Sequence, residues 1–159
     1  MPYAKHFQRV LAKKRNPFEA GLLVKQAKNR YQALLEKSPH LAQPALKIHL
    51  KNSILPGLAL YQTLIEEGNP QEEVLAEMAF ALEKTVDSSL KFIKLLEHLP
   101  KQFLIFRKVL TLFMKTSFPI EGWDMTWKKN NDHEVAFNIH SCFYLQALEH
   151  YGIPELVSV

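Results

Sequence analysis

The hydrophobic pattern of this chain changes period twice, from helical to alternating and back to helical after Cys142. Through residue 118 the apolar residues recur at helical spacing; between Gly122 and His140 they alternate. A period near 3.6 places a stripe on one side of a helix, and a period of two places one face of a strand against a core. The pattern therefore predicts a mainly α protein of the α+β kind. It has a helical body of about six helices, then a small C-terminal antiparallel β-hairpin and a short helix. At 159 residues the chain is expected to form one domain, with residues 1–118 as the helical part and 119–159 as hairpin plus helix.

Prolines and caps set the expected helix starts. Residues 3–14 read as a first short helix. Asn16-Pro17-Phe18-Glu19 then combines a capping side chain, a proline at the first helical position and an acid in the first turn, opening a helix to about Lys37. Ser38-Pro39 repeats the signal. Pro44 and Pro56 interrupt the next region and predict a kink near Pro56. ALYQTLIEE closes at Gly68, and Asn69-Pro70-Gln71-Glu72 opens a helix that the spacing carries through Leu99. Pro100 opens another, stopping before Pro119, with Phe103, Phe106, Leu110 and Phe113 as its core face.

The hairpin follows from WDMTWKK and HEVAFNIH joined by NND. Val135, Phe137 and Ile139 point one way, and Ala136, Asn138 and His140 the other. SCFYLQALEHYG then reads as a helix with Ser141 as N-cap and Gly152 at its end. The chain's single cysteine, Cys142, falls at this strand-to-helix junction. Continuing the alternation puts Asn138, His140 and Cys142 on one face. A thiol in the first helical turn also meets backbone N–H groups that favour a thiolate. Two readings stand side by side: a Cys–His nucleophilic site, or a small buried hydrophobe. Trp123 and Trp127 are placed to pack the hairpin on the helices or to wall a pocket.

Composition narrows the function classes. No apolar run follows the first ten residues, and uncharged stretches such as residues 53–65 are short of the about 20 residues a bilayer needs. A lone cysteine excludes an intrachain disulfide and fits a reducing, cytoplasmic setting. The seven histidines are scattered, so no metal site is expected. Five glycines and no phosphate-binding loop argue for no cofactor. Residues 1–30 hold eight Lys/Arg against Glu19 alone. These basic residues alternate with Phe7, Val10, Leu11, Phe18, Leu22 and Leu23, which is the pattern of an amphipathic helical pair. No nucleic-acid-binding signature accompanies them, and no membrane or nucleic-acid partner is expected.

GWDMTW, FNIHSC and YGIPEL, in that order, resemble the C-terminal signature of the L-2-amino-thiazoline-4-carboxylic acid hydrolase family. KNSILPGLALYQTLIEEGNPQEEV is similar to the family's middle helices and includes Asn52, so the resemblance spans about residues 45–159. Pro56 interrupts a helix the family would keep smooth. In such proteins the Pro-Glu-Leu segment usually leads into a second Cys and a nearby Asp. This chain stops at Val159, so it reads as a short member, in which a site depending on those two groups would be incomplete.

The resemblance implies hydrolytic opening of a 2-aminothiazoline ring to a carbamoyl-cysteine product. Cys142 would attack or polarise the amidine-like carbon, His140 would transfer protons, and Glu155 would position water or the amino group. Asn138, Asn52, Trp123 and Trp127 would bind substrate, with Lys128 and Lys129 as candidates for its carboxylate. The expected partners are a small-molecule substrate and, optionally, a second copy of the chain. Two alternatives compete: a non-catalytic ligand-binding domain, and an interaction module using the basic N-terminal helices.

Overall fold

Pro17 opens the longest helix described. The Asn16 side chain accepts a hydrogen bond from the Phe18 N–H at 2.8 Å, so cap and proline act as their types predict. The computed structural model describes residues 1–83, 94 and 101–158. In chain order the helices are α1 (Ala4–Leu11), α2 (Pro17–Glu36), α3 (Pro44–His49), α4 (Leu55–Glu66), α5 (Gln71–Glu83), α6 (Gln102–Ser117) and α7 (Phe143–His150). Strands β1 (Met125–Asn130) and β2 (Val135–Ile139) form an antiparallel pair between α6 and α7. A 3-10 turn, Pro154–Ser158, follows α7. The mainly α, α+β architecture read from the sequence is the one observed.

α2 packs along α4, and α1 lies against α2 and α5. Phe7, Leu11, Leu23, Leu58, Leu64 and Met78 are fully buried where these helices meet. Trp123, Phe143, Ala147, Leu148 and Leu156 extend the same apolar cluster to the C-terminal elements. Each large aliphatic or aromatic side chain so buried contributes about 1.5–3 kcal/mol. Within the basic N-terminal region, Phe18 instead stands 80 % exposed and Leu22 is also exposed, so the amphipathic stripe there is Phe7, Val10, Leu11 and Leu23. The turn between α1 and α2 is tied down by Arg15. Its guanidinium donates to both carboxylate oxygens of Glu77 on α5, at 3.0 and 2.9 Å, and to Glu67 at the end of α4, at 3.2 Å.

Several helix boundaries differ from the sequence expectation, each for a local reason. Ser38 opens no helix: its hydroxyl donates back to Leu35 O at 2.7 Å and closes α2, and residues 38–43 are irregular until Pro44 starts α3. The Asn69 amide likewise donates to Leu64 O at 2.9 Å and finishes α4 rather than capping α5. Gly68 there takes φ 82°, a left-handed conformation that costs glycine nothing. α6 begins two residues after Pro100, with Lys101 in the left-handed region. The helical course expected beyond Glu83 lies outside the described residues, except for helical Lys94. On α6 the expected core face is only half covered: Phe103, Phe106 and Leu110 are half-buried, Phe113 is 51 % exposed, and Met114 is the buried residue.

The expected kink at Pro56 takes the form of a π turn, Leu50–Ile54, joining α3 to α4. Proline has no N–H to continue the α ladder. Upstream of it the register slips, and the Leu55 N–H reaches five residues back to Leu50 O. Lys51 O is left without that bond and receives the Tyr31 hydroxyl at 3.2 Å instead. The π turn thus sits on a polar contact from α2, and it swings Ser53 and Ile54 toward α7.

The hairpin pairs Met125 with Ile139, Thr126 with Asn138 and Trp127 with Phe137, and a bulge at Lys128 shifts the register before Lys129 pairs with Ala136. Its loop is closed by Asn131, whose side chain accepts the His133 and Glu134 N–H groups. Neither face is buried as the alternation predicted. Residues 135–138 are all half-buried and Ile139 is 49 % exposed, because the hairpin lies beside α6 through Arg107 and Asn130 rather than flat on the core.

Tyr151, just past α7, carries a buried hydroxyl with no hydrogen-bond partner among the described residues. An unsatisfied buried hydroxyl costs about 1–3 kcal/mol. Tyr151→Phe is therefore expected to stabilise the protein by about 1 kcal/mol in denaturant unfolding. A loss of stability would show that the hydroxyl has a partner.

Candidate functional site

The π turn, α4, α5, α7 and the 3-10 turn enclose a cavity of about 230 Å³. Ile54, Gly57, Met78, Leu148, Leu156 and Val157 line it with apolar groups, and Ser53 and Tyr144 are the hydroxyl-bearing residues of its lining. The space suits a molecule smaller than the drug-sized ligands that occupy pockets of about 300–1,000 Å³. π turns are often found at functional sites because the slipped register re-aims side chains. Here it brings Ser53 to a residue more than ninety positions away.

Tyr144 is the polar centre of this wall. Its hydroxyl lies 2.9 Å from His49 Nδ1 and is hydrogen-bonded by the Ser53 side chain. His49 is itself held in an aromatic cage. Trp123 meets it edge-on at 4.9 Å, Phe118 stacks on it at 5.8 Å, and Tyr144 meets it at 5.6 Å. Burial holds the Tyr144 hydroxyl above the ordinary tyrosine value, and the nearby Cys142 pushes the same way, while the Ser53 hydrogen bond opposes them. At neutral pH the group is a phenol, able to donate or accept.

Cys142 is the N-cap of α7, with extended backbone (φ −134°, ψ 119°), and its side chain makes no capping bond. Ser141, expected to cap, instead accepts the Asp124 N–H at 3.2 Å across the hairpin base. The first helical N–H, that of Phe143, is bonded by Gly122 O at 2.8 Å. Gly122 is packed closely: an added Cβ would lie 2.5 Å from Leu46 Cδ2 and 3.1 Å from Phe143 Cβ, so the Leu46 side chain would have to move. Cys142 is half-buried against the edge of the core, two residues before Tyr144.

The other candidate residues fall in three places. His140 is exposed, its Nε2 3.1 Å from Thr126 Oγ1 on β1, and no hydrogen bond joins it to Cys142 among the described residues. Asn138 stands opposite Thr126, and Trp127 rests on Phe137 at 5.2 Å, all within the hairpin. Lys129 is paired with Glu134 at 2.7 Å and Lys128 is the exposed bulge residue, so neither faces the cavity. Asn52 is exposed on the π turn. Trp123 is 5 % exposed, a core residue that holds His49. Glu155 accepts from Gln71 Nε2 at 2.7 Å and from the Tyr61 hydroxyl at 3.4 Å. It thereby fastens the 3-10 turn to α4 and α5 and seats Leu156 as a cavity wall. Sequence reasoning passed over His49, Ser53 and Tyr144. The one local signal was Pro56, which marks a break in the helix but not what the break would face.

Among the described residues no three His, Cys, Asp or Glu side chains are grouped to hold a metal ion, and no helix is long and apolar enough to cross a membrane. Burial raises the hydroxyls of Tyr31, Tyr61, Tyr144 and Tyr151 above their ordinary value of 10.0. Each keeps its proton to higher pH when folded than when unfolded. The associated stability is intact below about pH 10 and is lost as pH rises through the folded values, where the unfolded chain holds fewer protons. The thermal midpoint is expected to fall above about pH 10, and less steeply in Tyr144→Phe. Identical alkaline slopes in the two proteins would contradict this.

The fold and the cavity place this chain in a class: small, mainly helical α+β proteins with an apolar pocket carrying hydroxyls, and with a single cysteine near enough to act on Tyr144. The chain belongs to the L-2-amino-thiazoline-4-carboxylic acid hydrolase family, whose model matches residues 47–159. That span contains every described cavity residue, His49 and Cys142, and excludes α1 and α2. No curated protein and no solved structure matches the chain.

Proposed function

We propose that this protein hydrolyses a compact amidine-like heterocycle of the 2-aminothiazoline-4-carboxylate type. The observation that carries the reading is the Tyr144 hydroxyl, held between His49 and Ser53 on the wall of a ring-sized cavity, two residues from the only cysteine. Family membership supports a hydrolase-like reaction class.

The target carbon is bonded to two nitrogens and the ring sulfur. In the proposed first step the Cys142 thiolate attacks it and forms a C–S bond, and a ring nitrogen takes up a proton. The tetrahedral centre collapses with cleavage of the ring C–S bond, and the departing sulfur leaves as a thiol. This gives an isothiourea on Cys142. Water then adds to the same carbon, the bond to Cys142 breaks, and the product is a carbamoyl-cysteine, substrate plus one water. A group that passes protons to nitrogen and sulfur is needed in both steps. His140, exposed and bonded to Thr126, is the candidate from the sequence, and Tyr144 with His49 is the pair nearer the cavity. Glu155 acts here by holding the 3-10 turn.

The second reading, a non-catalytic ligand-binding domain, is favoured by one observation: six of the eight described cavity residues are apolar or glycine, and Cys142 is not one of the eight. Ring opening releases a free thiol, so the two readings separate on a thiol-detection assay with L-2-aminothiazoline-4-carboxylate. Thiol release by the purified chain supports the enzyme. Tight binding without release supports the binding domain.

A further inference from the structure

Beyond the reaction class, the cavity wall specifies how a ligand would sit. Gly57, Met78, Ile54 and Leu156 line it with apolar groups, and the two described lining residues with polar side chains, Ser53 and Tyr144, are hydrogen-bonded to each other. An apolar cavity is occupied favourably by a ligand whose buried face is hydrocarbon or thioether. A polar group turned into that part would lose its hydrogen bonds to water, at a cost of about 1–3 kcal/mol. The ligand's polar edge must therefore face Tyr144.

The phenol has one donor and two acceptor positions. Ser53 and His49 each take up one of its positions. Whichever tautomer His49 adopts, a position on the oxygen remains open among the described residues. With His49 accepting, the open position is an acceptor for a ligand N–H. With His49 donating, the phenol's own proton is free for a ligand nitrogen. An amidine edge offers both an N–H and a bare nitrogen and so meets either state. The His49 cage of Trp123 and Phe118 fixes the phenol from behind, so the oxygen is oriented before a ligand arrives.

We propose that this cavity binds a small heterocycle with its thioether or hydrocarbon edge against Gly57 and Met78 and its amidine edge on the Tyr144 hydroxyl, making Tyr144 the anchoring residue and His49 its positioning residue. The inference rests on the hydrolase reading for the identity of the heterocycle but not for the existence of the site.

The test is direct binding of 2-amino-2-thiazoline, which lacks the carboxylate, to the full chain carrying Cys142→Ala, by titration calorimetry. Two further variants are added singly. Tyr144→Phe keeps the ring and removes the anchor. Gly57→Ala adds a methyl whose nearest neighbour is Met78 Cε at 3.9 Å, so it fits the fold while narrowing the cavity, and it favours the helix. Each is expected to weaken binding about tenfold, the equivalent of one lost hydrogen bond or methyl-sized space, with thermal stability kept in the first and raised in the second. Absence of binding, or equal affinity in all three proteins, overturns the site. Turnover assays separate the two ideas. Thiol release by the native chain that is unchanged by Tyr144→Phe and Gly57→Ala overturns the site and leaves the hydrolase. Binding that responds as expected, with no release from any substrate, supports the site and overturns the hydrolase.

Discussion

Replacing Cys142 by Ala is expected to reduce ring opening about a thousandfold or more, the scale of loss when a covalent nucleophile is removed, while the protein stays folded. The structure explains why the fold should survive. The thiol makes no capping bond, the start of α7 is held by Phe143 N–H on Gly122 O, and the Ser141 hydroxyl secures the hairpin base independently. A half-buried cysteine reduced to alanine loses one sulfur's worth of packing, about 1 kcal/mol. Loss of turnover with only that small shift in the unfolding midpoint would assign the thiol to the chemistry. Retained turnover would remove Cys142 from the mechanism and leave water, directed by Tyr144, as the attacking group. Cys142→Ser adds information: a hydroxyl of similar size that needs a general base should restore little activity.

Arg15→Ala is expected to destabilise the protein by about 2–4 kcal/mol, because it strands the carboxylate of Glu77, a residue only 9 % exposed. Arg15 reaches Glu77 with two nitrogens and Glu67 with one. Three helices are fixed by this fork: the turn after α1, the end of α4 and the middle of α5. The attraction to Glu77 and Glu67 raises the guanidinium above its ordinary value, with partial burial opposing them. The loss on truncation reflects an unpaired buried charge more than the net worth of the pair. The double variant Arg15→Met with Glu77→Met should therefore be more stable than Arg15→Ala, as measured by urea unfolding. If the double variant is the least stable of the set, the pair is a net contributor and the argument is wrong.

The basic N-terminal region bears on the interaction-module alternative. Arg15 is engaged with Glu77 and Glu67, Arg30 is paired with Glu66, and Lys14 sits over the Phe80 ring at 4.7 Å. Among the described residues, at least three of the eight cations in residues 1–30 thus face partners within the chain.

What was legible in the sequence is what the backbone decides within a few residues. Asn16-Pro17 fixed a helix start because a capping oxygen and a preset φ act on their own turn. The alternation of residues 123–140 announced a hairpin because strand periodicity is local, and Pro56 announced a break because a missing N–H is a local fact. The resemblance to the hydrolase family was carried by short motifs of the same kind. The failures had a common cause. Ser38 and Ser141 look like caps, but which acceptor or donor a hydroxyl takes depends on what stands opposite it, and here Leu35 O and Asp124 N–H were nearer. The His140–Cys142 pairing followed from alternation along one strand, yet Thr126 on the partner strand took the imidazole.

Fold class, most helix starts, the hairpin and the family could be read from the chain alone. The site could not. His49 and Tyr144 are 95 residues apart and share a hydrogen bond. The cavity exists because a π turn, three helices and a 3-10 turn converge on a space that none of them lines alone. Local propensity acts through the backbone over one turn or one pleat. A pocket is set by packing between distant segments, and no periodicity in the chain records it.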